Sequence, residues 1–327
     1  MKQFLIIQTA FIGDVILATP LIEKLSQHHP NAKIDFLLRK GNEELLKNNP
    51  HLHRVYVLDK NARKYVNVLQ MIKKIRKTRY NYLINLQRFT TTGILSLFAR
   101  AIHKSGFDKN PFSFAYDHKV THEIGNGKHE IERNLELVAP ITDADFVKPR
   151  LYPSEADYKN IQPHKKRAYL TVAPASVWFT KQFPKEKWKA LLEKLDVQYN
   201  IHLLGGPEDH NLCWQIIQES GRARLFNLAG QLSFLETAAL MEGARMNYVN
   251  DSAPLHIASA MNAPVTAIFC STVPEFGFYP VSDRSRIVET DIDLYCRPCG
   301  LHGYNACPEG HFRCAQTIDV NKLLIHQ

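Results

Sequence analysis

Short apolar blocks alternate along the chain with longer stretches in which apolar residues recur every third or fourth position. Each block is closed by a polar or glycine-bearing turn. Strands followed by amphipathic helices give this rhythm. In the first half, strands are expected at "QFLIIQ" (3–8), "KIDFLLR" (33–39), "RVYVLD" (54–59) and "NYLINLQ" (81–87). Helices are expected over Val15–Ser26, from the third strand through Lys77, near Gly93–Ile102 and at "HEIERNLELV" (129–138). The polar, proline-bearing run at 142–167 reads as a linker.

The second half repeats the rhythm more cleanly. Strands are expected at "AYLTVAP" (168–174), "NIHLLGG" (200–206), "RLFNLAG" (224–230), "MNYVND" (246–251) and "PVTAIF" (264–269), which closes the run. The intervening helices span Pro184–Leu195 and Glu208–Glu219, with another capped by Ser233 and Glu236 three residues on. The pattern therefore predicts an α/β protein of two Rossmann-like, doubly wound domains, residues 1–160 and 161–327, facing a central cleft. A ligand is expected outside the carboxyl ends of the strands.

Composition adds a partner class. The chain has 327 residues, 45% hydrophobic and 22% charged, with a net charge of +9. That balance suits an acidic partner: nucleic acid, anionic membrane or phosphorylated substrate. The first residues lack the apolar core and cleavage site of a signal peptide, and no apolar run is long enough for a transmembrane helix. A cytoplasmic location follows as an expectation, so the six cysteines read as thiols or metal ligands rather than disulfides.

Four strand-to-helix junctions carry chemistry. "FIGD" presents Asp14, either a helix N-cap or a carboxylate able to act as a general base. The loop "APASVWFTKQFPKEKW" carries Ser176, Thr180 and Lys181 ahead of a helix N-terminus, which makes an anion site or a solvated surface loop. In "LLGGPEDHN", Gly206 allows close approach, and Glu208 or Asp209 caps the helix or accepts from ribose hydroxyls. In "NDSAPLHIASA", Asp251 ends a strand, Ser252 opens a helix, and His256 lies on the same helix face as Ser252.

The ordered set "FIGDVILATP", "KQFPKEKW", "GGPED", "NLAGQLSFLETAALMEGA" and "NDSAPLHIASAMNAPVTAIFCSTVP" resembles glycosyltransferase family 9, the ADP-heptose:lipopolysaccharide heptosyltransferases. "HEIERNLELV" and "CRPCGLHGYNACPEGHFRC" resemble its heptosyltransferase II-like branch. The resemblance implies a GT-B fold with an acceptor domain, then a nucleotide-sugar domain whose extreme C-terminal helix returns to the first. It implies inverting transfer of heptose from ADP-heptose to a lipid A-core acceptor without a tightly bound cofactor. Asp14 matches the catalytic base and Lys181 the lysine on the diphosphate. Asp209 matches the ribose acid, with Glu208 as its neighbour, and Asp251, Ser252 and His256 match the diphosphate and sugar segment. Ser176, Thr180 and Gly206 complete the donor set, and Gly13, Gln87 and Arg88 form the acceptor set. The chain departs from the family at Gln8 and Ala10, often arginine and serine there, and at Ala253, often glycine.

A carboxylate in a helix's first turn should be acidic, which weakens it as a base. Departure of the leaving group ahead of proton transfer would tolerate that. Cys296, Cys299, Cys307 and Cys314 read either as reduced packing cysteines or as a structural zinc site, and Cys213 and Cys270 as core. "KKIRKTR" (73–79) reads as a solvated helix face that also favours closeness to an anionic inner membrane. A monomer peripheral to that membrane, with no nucleic-acid partner, is expected. The competing readings are a GT-B enzyme using another nucleotide sugar, as transferase or epimerase, and a basic zinc-bearing nucleic-acid binder. A nicotinamide dehydrogenase is disfavoured, for neither half has a G-x-G-x-x-G turn.

Overall fold

The computed structural model describes residues 1–61 and 63–324. The chain divides into two units, Met1–Tyr152 and Pro153–Gln327. In the first, β1 (Gln3–Ile7), α1 (Ile12–His28), β2 (Lys33–Arg39), β3 (Leu52–Leu58), α2 (Lys64–Ile75), β4 (Tyr80–Asn85), α3 (Thr90–Phe98), β5 (Ala101–Phe107), β6 (His118–Val120) and α4 (Glu130–Glu136) follow in order. The second holds α5 (Glu155–Asn160), β7 (Tyr169–Ala173), α6 (Lys185–Lys194), β8 (Asn200–Leu203), α7 (His210–Ser220), β9 (Leu225–Asn227) and α8 (Phe234–Glu242). It continues with β10 (Asn247–Asn250), α9 (Ala253–Ala260), β11 (Val265–Phe269), β12 (Ser285–Glu289) and α10 (Arg313–Gln316).

Each unit is built on a six-stranded sheet, ordered β3-β2-β1-β4-β5-β6 in one and β12-β11-β10-β7-β8-β9 in the other. Neighbouring strands among the described residues pair in parallel throughout. Counted within its own unit, each sheet has the order 3-2-1-4-5-6 of a dinucleotide-type fold. The switch point lies between β1 and β4 in the first sheet and between β7 and β10 in the second. Central strands such as β7 and β11 are buried along their whole length, hence sequences that are apolar but for one threonine each.

Two differences from expectation stand out. Ile102 belongs to β5, not a helix, and β5, β6 and β12 are additional strands. β5 escapes notice because Ile102 and His103 are exposed and Gly106 lies under the Tyr116 ring, where a Cβ would come within 2.4 Å. The unit boundary also precedes the expected 160/161. α5 belongs to the second unit, where Tyr158 donates to Glu242 at 2.7 Å and Asn160 to Glu236 at 2.8 Å. The last described turn, Val320–Leu323, buries Val320 and Leu323 in the second unit's core.

α1 carries Pro20 in its interior, where a proline cannot bond the carbonyl four residues back. Thr19 Oγ1 donates instead to that carbonyl, of Ile16, at 2.7 Å. The helix thus runs unbroken from the β1 turn, and its first turn is held firmly at the carboxyl edge of the sheet.

Candidate active site

The helix after β1 begins at Ile12, with Phe11 as its N-cap. Asp14 is therefore the third helical residue and not the cap that the sequence suggested. Its Oδ2 accepts from the Phe11 amide at 3.1 Å, the carboxylate half of a capping box. Protein crowds the side chain while its rim stays partly open to solvent. Burial lifts the Asp14 carboxyl from an ordinary 3.8 to about 6, and the Glu130 carboxylate adds to the lift. The Phe11 and Asp14 amides and Arg88 pull the other way and lose. The expectation of an acidic, weakly basic Asp14 is thereby overturned: the helix terminus is outweighed.

Glu130 holds the charge that acts on Asp14. It is buried at the start of α4, accepting from Arg133 Nε at 2.8 Å and facing His122 Nε2 at 3.2 Å. Burial alone would raise its carboxyl, but His122 and Arg133 together hold it below the ordinary value. Glu130 thus stays ionised where Asp14 can feel it. Sequence reading saw only a helix here, and nothing in the spacing signals a pairing across more than a hundred residues.

The turn bearing Asp14 is braced from several strands. Lys60 donates to the Thr9 carbonyl at 2.7 Å and Asn42 to that of Ala10 at 3.0 Å. Gln87 is buried, and its amide donates to Gln8, so it braces the turn; its Oε1 has no partner among the described residues. Gly13 and Arg88 are partly exposed beside Asp14. Burial, then Arg39 and Lys64, lowers the Lys60 ammonium to about 8.

The second unit gathers the other predicted groups on the carboxyl edge of its own sheet. Lys181 Nζ pairs with Asp251 Oδ2 at 2.7 Å, and Thr272 Oγ1 donates to the same oxygen at 2.6 Å. Ser252, the N-cap of α9, keeps its side chain free of any capping bond. His256 is buried one turn further along α9. Asn250, which the sequence did not single out, fastens the Lys181 loop to the end of β10. Its side chain donates to the Pro174 carbonyl at 2.8 Å and accepts from the Phe183 amide at 3.0 Å.

One donor-site expectation changes. Thr180 is fully buried, and its hydroxyl accepts from the Tyr304 amide at 2.8 Å and from Ser271 at 3.0 Å. It is a brace for the lysine, not an open phosphate ligand; Ser176, in contrast, is partly exposed. Asp209 caps the turn after β8, accepting from the Gly206 amide at 2.8 Å, and burial followed by Glu208 raises its carboxyl. Glu208 is the exposed acid at that edge.

The family model for glycosyltransferase family 9 (heptosyltransferase) matches residues 68–303. The chain belongs to this family. It shares 30% identity over 278 residues with lipopolysaccharide heptosyltransferase 3 of Escherichia coli, covering 80% of this chain and 82% of that one. The structure of a family 9 glycosyltransferase from Veillonella parvula superposes with a TM-score of 0.86 at 19% identity, covering 98% of this chain and 95% of that chain. An E. coli heptosyltransferase solved with ADP-2-deoxy-2-fluoro heptose superposes with a TM-score of 0.70 at 20% identity, covering 88% and 93%. Both structures share the fold of this glycosyltransferase.

The cysteines divide as chemistry suggests. Cys213 and Cys270 are buried in the core. Cys296, Cys299, Cys307 and Cys314 are free thiols that line one recess with Thr180, Tyr304 and Phe312. Among the described residues, no group of three or more His, Cys, Asp or Glu side chains is arranged to hold a metal ion. The recess instead backs the Lys181 loop. A Cβ on Gly303, at φ +81°, would lie 2.8 Å from Thr180 Oγ1 and 3.1 Å from Lys181 Cγ.

Proposed function

We propose that this glycosyltransferase moves heptose from ADP-heptose to a lipopolysaccharide inner-core acceptor with inversion at the anomeric carbon. The observation that carries the reading is Asp14, a carboxylate whose surroundings raise it to about 6. A base so poised is ionised at neutral pH yet basic enough to take a proton as the acceptor hydroxyl attacks. The new glycosidic bond forms on the face opposite the bond to ADP, whose electron pair leaves with the diphosphate. The hydroxyl proton passes to Asp14. Departing ADP gathers negative charge, and Lys181 with the first amides of α9 is the preorganised partner for it. Asp251 holds the Lys181 ammonium in place beforehand. Asp209 or its exposed neighbour Glu208 would accept from the ribose hydroxyls, and Ser252 and His256 would serve the diphosphate and sugar.

The donor reading is supported by the E. coli relative solved with an ADP-heptose analogue, and the acceptor class by the lipopolysaccharide enzyme at 30% identity. A lipid-anchored acceptor places the working enzyme against the cytoplasmic face of the inner membrane. No described helix is long and apolar enough to cross a membrane.

Purified protein incubated with ADP-heptose and defined truncated core acceptors should yield a product one heptose heavier by mass spectrometry. UDP-sugars tested in parallel should yield none; preference for one would replace the donor assignment. Full transfer by folded Asp14→Ala would remove Asp14 as the base.

A further inference from the structure

Residues 63–79, which are α2 with its flanking turns, hold seven cations and no carboxylate, against a net charge of +9 for the whole chain. All seven cations are exposed. α2 buries Val68, Met71, Ile72 and Ile75. Its opposite side is apolar near the N-terminus and cationic beyond. Tyr65 is 82% exposed, Val66 47% and Leu69 60%. Tyr65, Leu69, Lys73 and Lys77 follow one another at intervals of four, so they form one row along the helix. Lys73, Lys74, Lys77 and Arg79 pair with no carboxylate among the described residues.

Exposed apolar side chains scattered singly need no explanation, but three together on one helix face beside unbalanced cations mark a contact surface. Apolar residues beside unbalanced cations on an otherwise well-packed helix suit a bilayer surface with anionic headgroups. The placement fits as well. β1 and β3 are both parallel to β2, so α2 starts from the same carboxyl edge of the sheet as the Asp14 turn.

We propose that the outward face of α2 docks on an anionic lipid bilayer, with Tyr65, Val66 and Leu69 among the headgroups and Lys73, Lys74 and Lys77 against lipid phosphates. The proposal rests on the reading above that the acceptor is lipid-anchored, for docking would then hold the Asp14 edge where the acceptor sugar stands. Transfer itself needs none of these side chains.

The test is co-sedimentation of the full chain, without donor, with vesicles of phosphatidylcholine alone or mixed with phosphatidylglycerol. Binding is expected only to the anionic vesicles. The triple variant Lys73→Gln/Lys74→Gln/Lys77→Gln should lower the partition coefficient about a hundredfold, at about fivefold per lysine. Leu69→Ser, at an exposed position, should weaken the part of the binding that survives raised salt. Transfer to a delipidated, water-soluble acceptor should be unchanged in both variants. Equal binding by wild type and triple variant, equal binding to neutral vesicles, or binding of duplex nucleic acid in place of vesicles would overturn the proposal. Transfer to the soluble acceptor would in each of those cases still uphold the reaction.

Discussion

Replacing Asp14 with asparagine should make the protein more stable while stopping transfer. The carboxyl titrates near 6 in the folded chain against an ordinary 3.8. Between those values the folded chain keeps a proton that the unfolded chain releases. Stability therefore falls as pH rises through this window, and the full penalty is present above it. The shift of about two units sets an upper bound of about 3 kcal/mol. Solvent at the rim of the side chain reduces this to about 1–2 kcal/mol. Asparagine keeps an oxygen for the Phe11 amide and carries no charge to be repelled by Glu130. The melting temperature of the first unit should rise by about 2–8 °C at pH 7.5, and the advantage should vanish near pH 4. Transfer by the same variant should drop by about 10²–10⁴-fold, and wild-type kcat/KM should decline below about pH 6 with the slope of one proton. Thermal scans at pH 7.5, 6 and 4.5, beside initial rates, provide the measurement. A variant that melts at or below wild type at pH 7.5, or gains equally at pH 4.5, would refute the reasoning. The capping bond to Phe11 would then outweigh the buried charge.

Glu130→Gln should shift the acid limb of the kcat/KM profile to lower pH, because the Glu130 carboxylate helps raise Asp14. It should also lower the melting temperature, since Arg133 and His122 lose their buried partner. Lys181→Ala should reduce kcat by about 10²–10³-fold in assays of ADP release, the range for removing one group that stabilises developing charge. Gly303→Ala should destabilise the second unit by about 1–3 kcal/mol and raise the donor KM, because its Cβ would press on Thr180 and Lys181; thermal scans and donor titrations check both effects.

The buried strands were legible because a central parallel strand has to be apolar on both faces, as β1 and β7 are. β12 was missed for the converse reason: it is an edge strand with its first three residues exposed, so "SRIVE" carries no apolar signature. The onset of α1 was read late because its cap, Phe11, has no side-chain acceptor to announce a helix. Asp14, Lys181 and Asp251 could each be marked as candidates from the sequence, but their couplings could not. That Asp251 holds Lys181, and that Glu130 lifts Asp14, are facts of three-dimensional proximity. The misread role of Thr180 has a simple cause. A polar residue beside a strand end suits a ligand or a neighbouring amide equally well, and only the packed chain decides which is nearer.

The two units place a helix N-terminus at the carboxyl edge of a sheet with the same strand order, yet the charge there is arranged in opposite senses. In the first, a carboxylate sits inside the helix's opening turn, where the dipole alone would make it more acidic. Burial and Glu130 reverse that outcome, leaving a group that is ionised at neutral pH yet takes up a proton more readily than an ordinary carboxylate. In the second, the carboxylate of Asp251 precedes the cap of α9 and is matched by the Lys181 ammonium, so the edge is close to neutral before any ligand arrives. An incoming diphosphate would then take a share of Lys181 from Asp251, which limits how tightly ADP can be held after transfer. The first sheet thus ends in a carboxylate with raised proton affinity and the second in a compensated cation. Neither follows from the shared fold, for both depend on which side chains crowd the helix end.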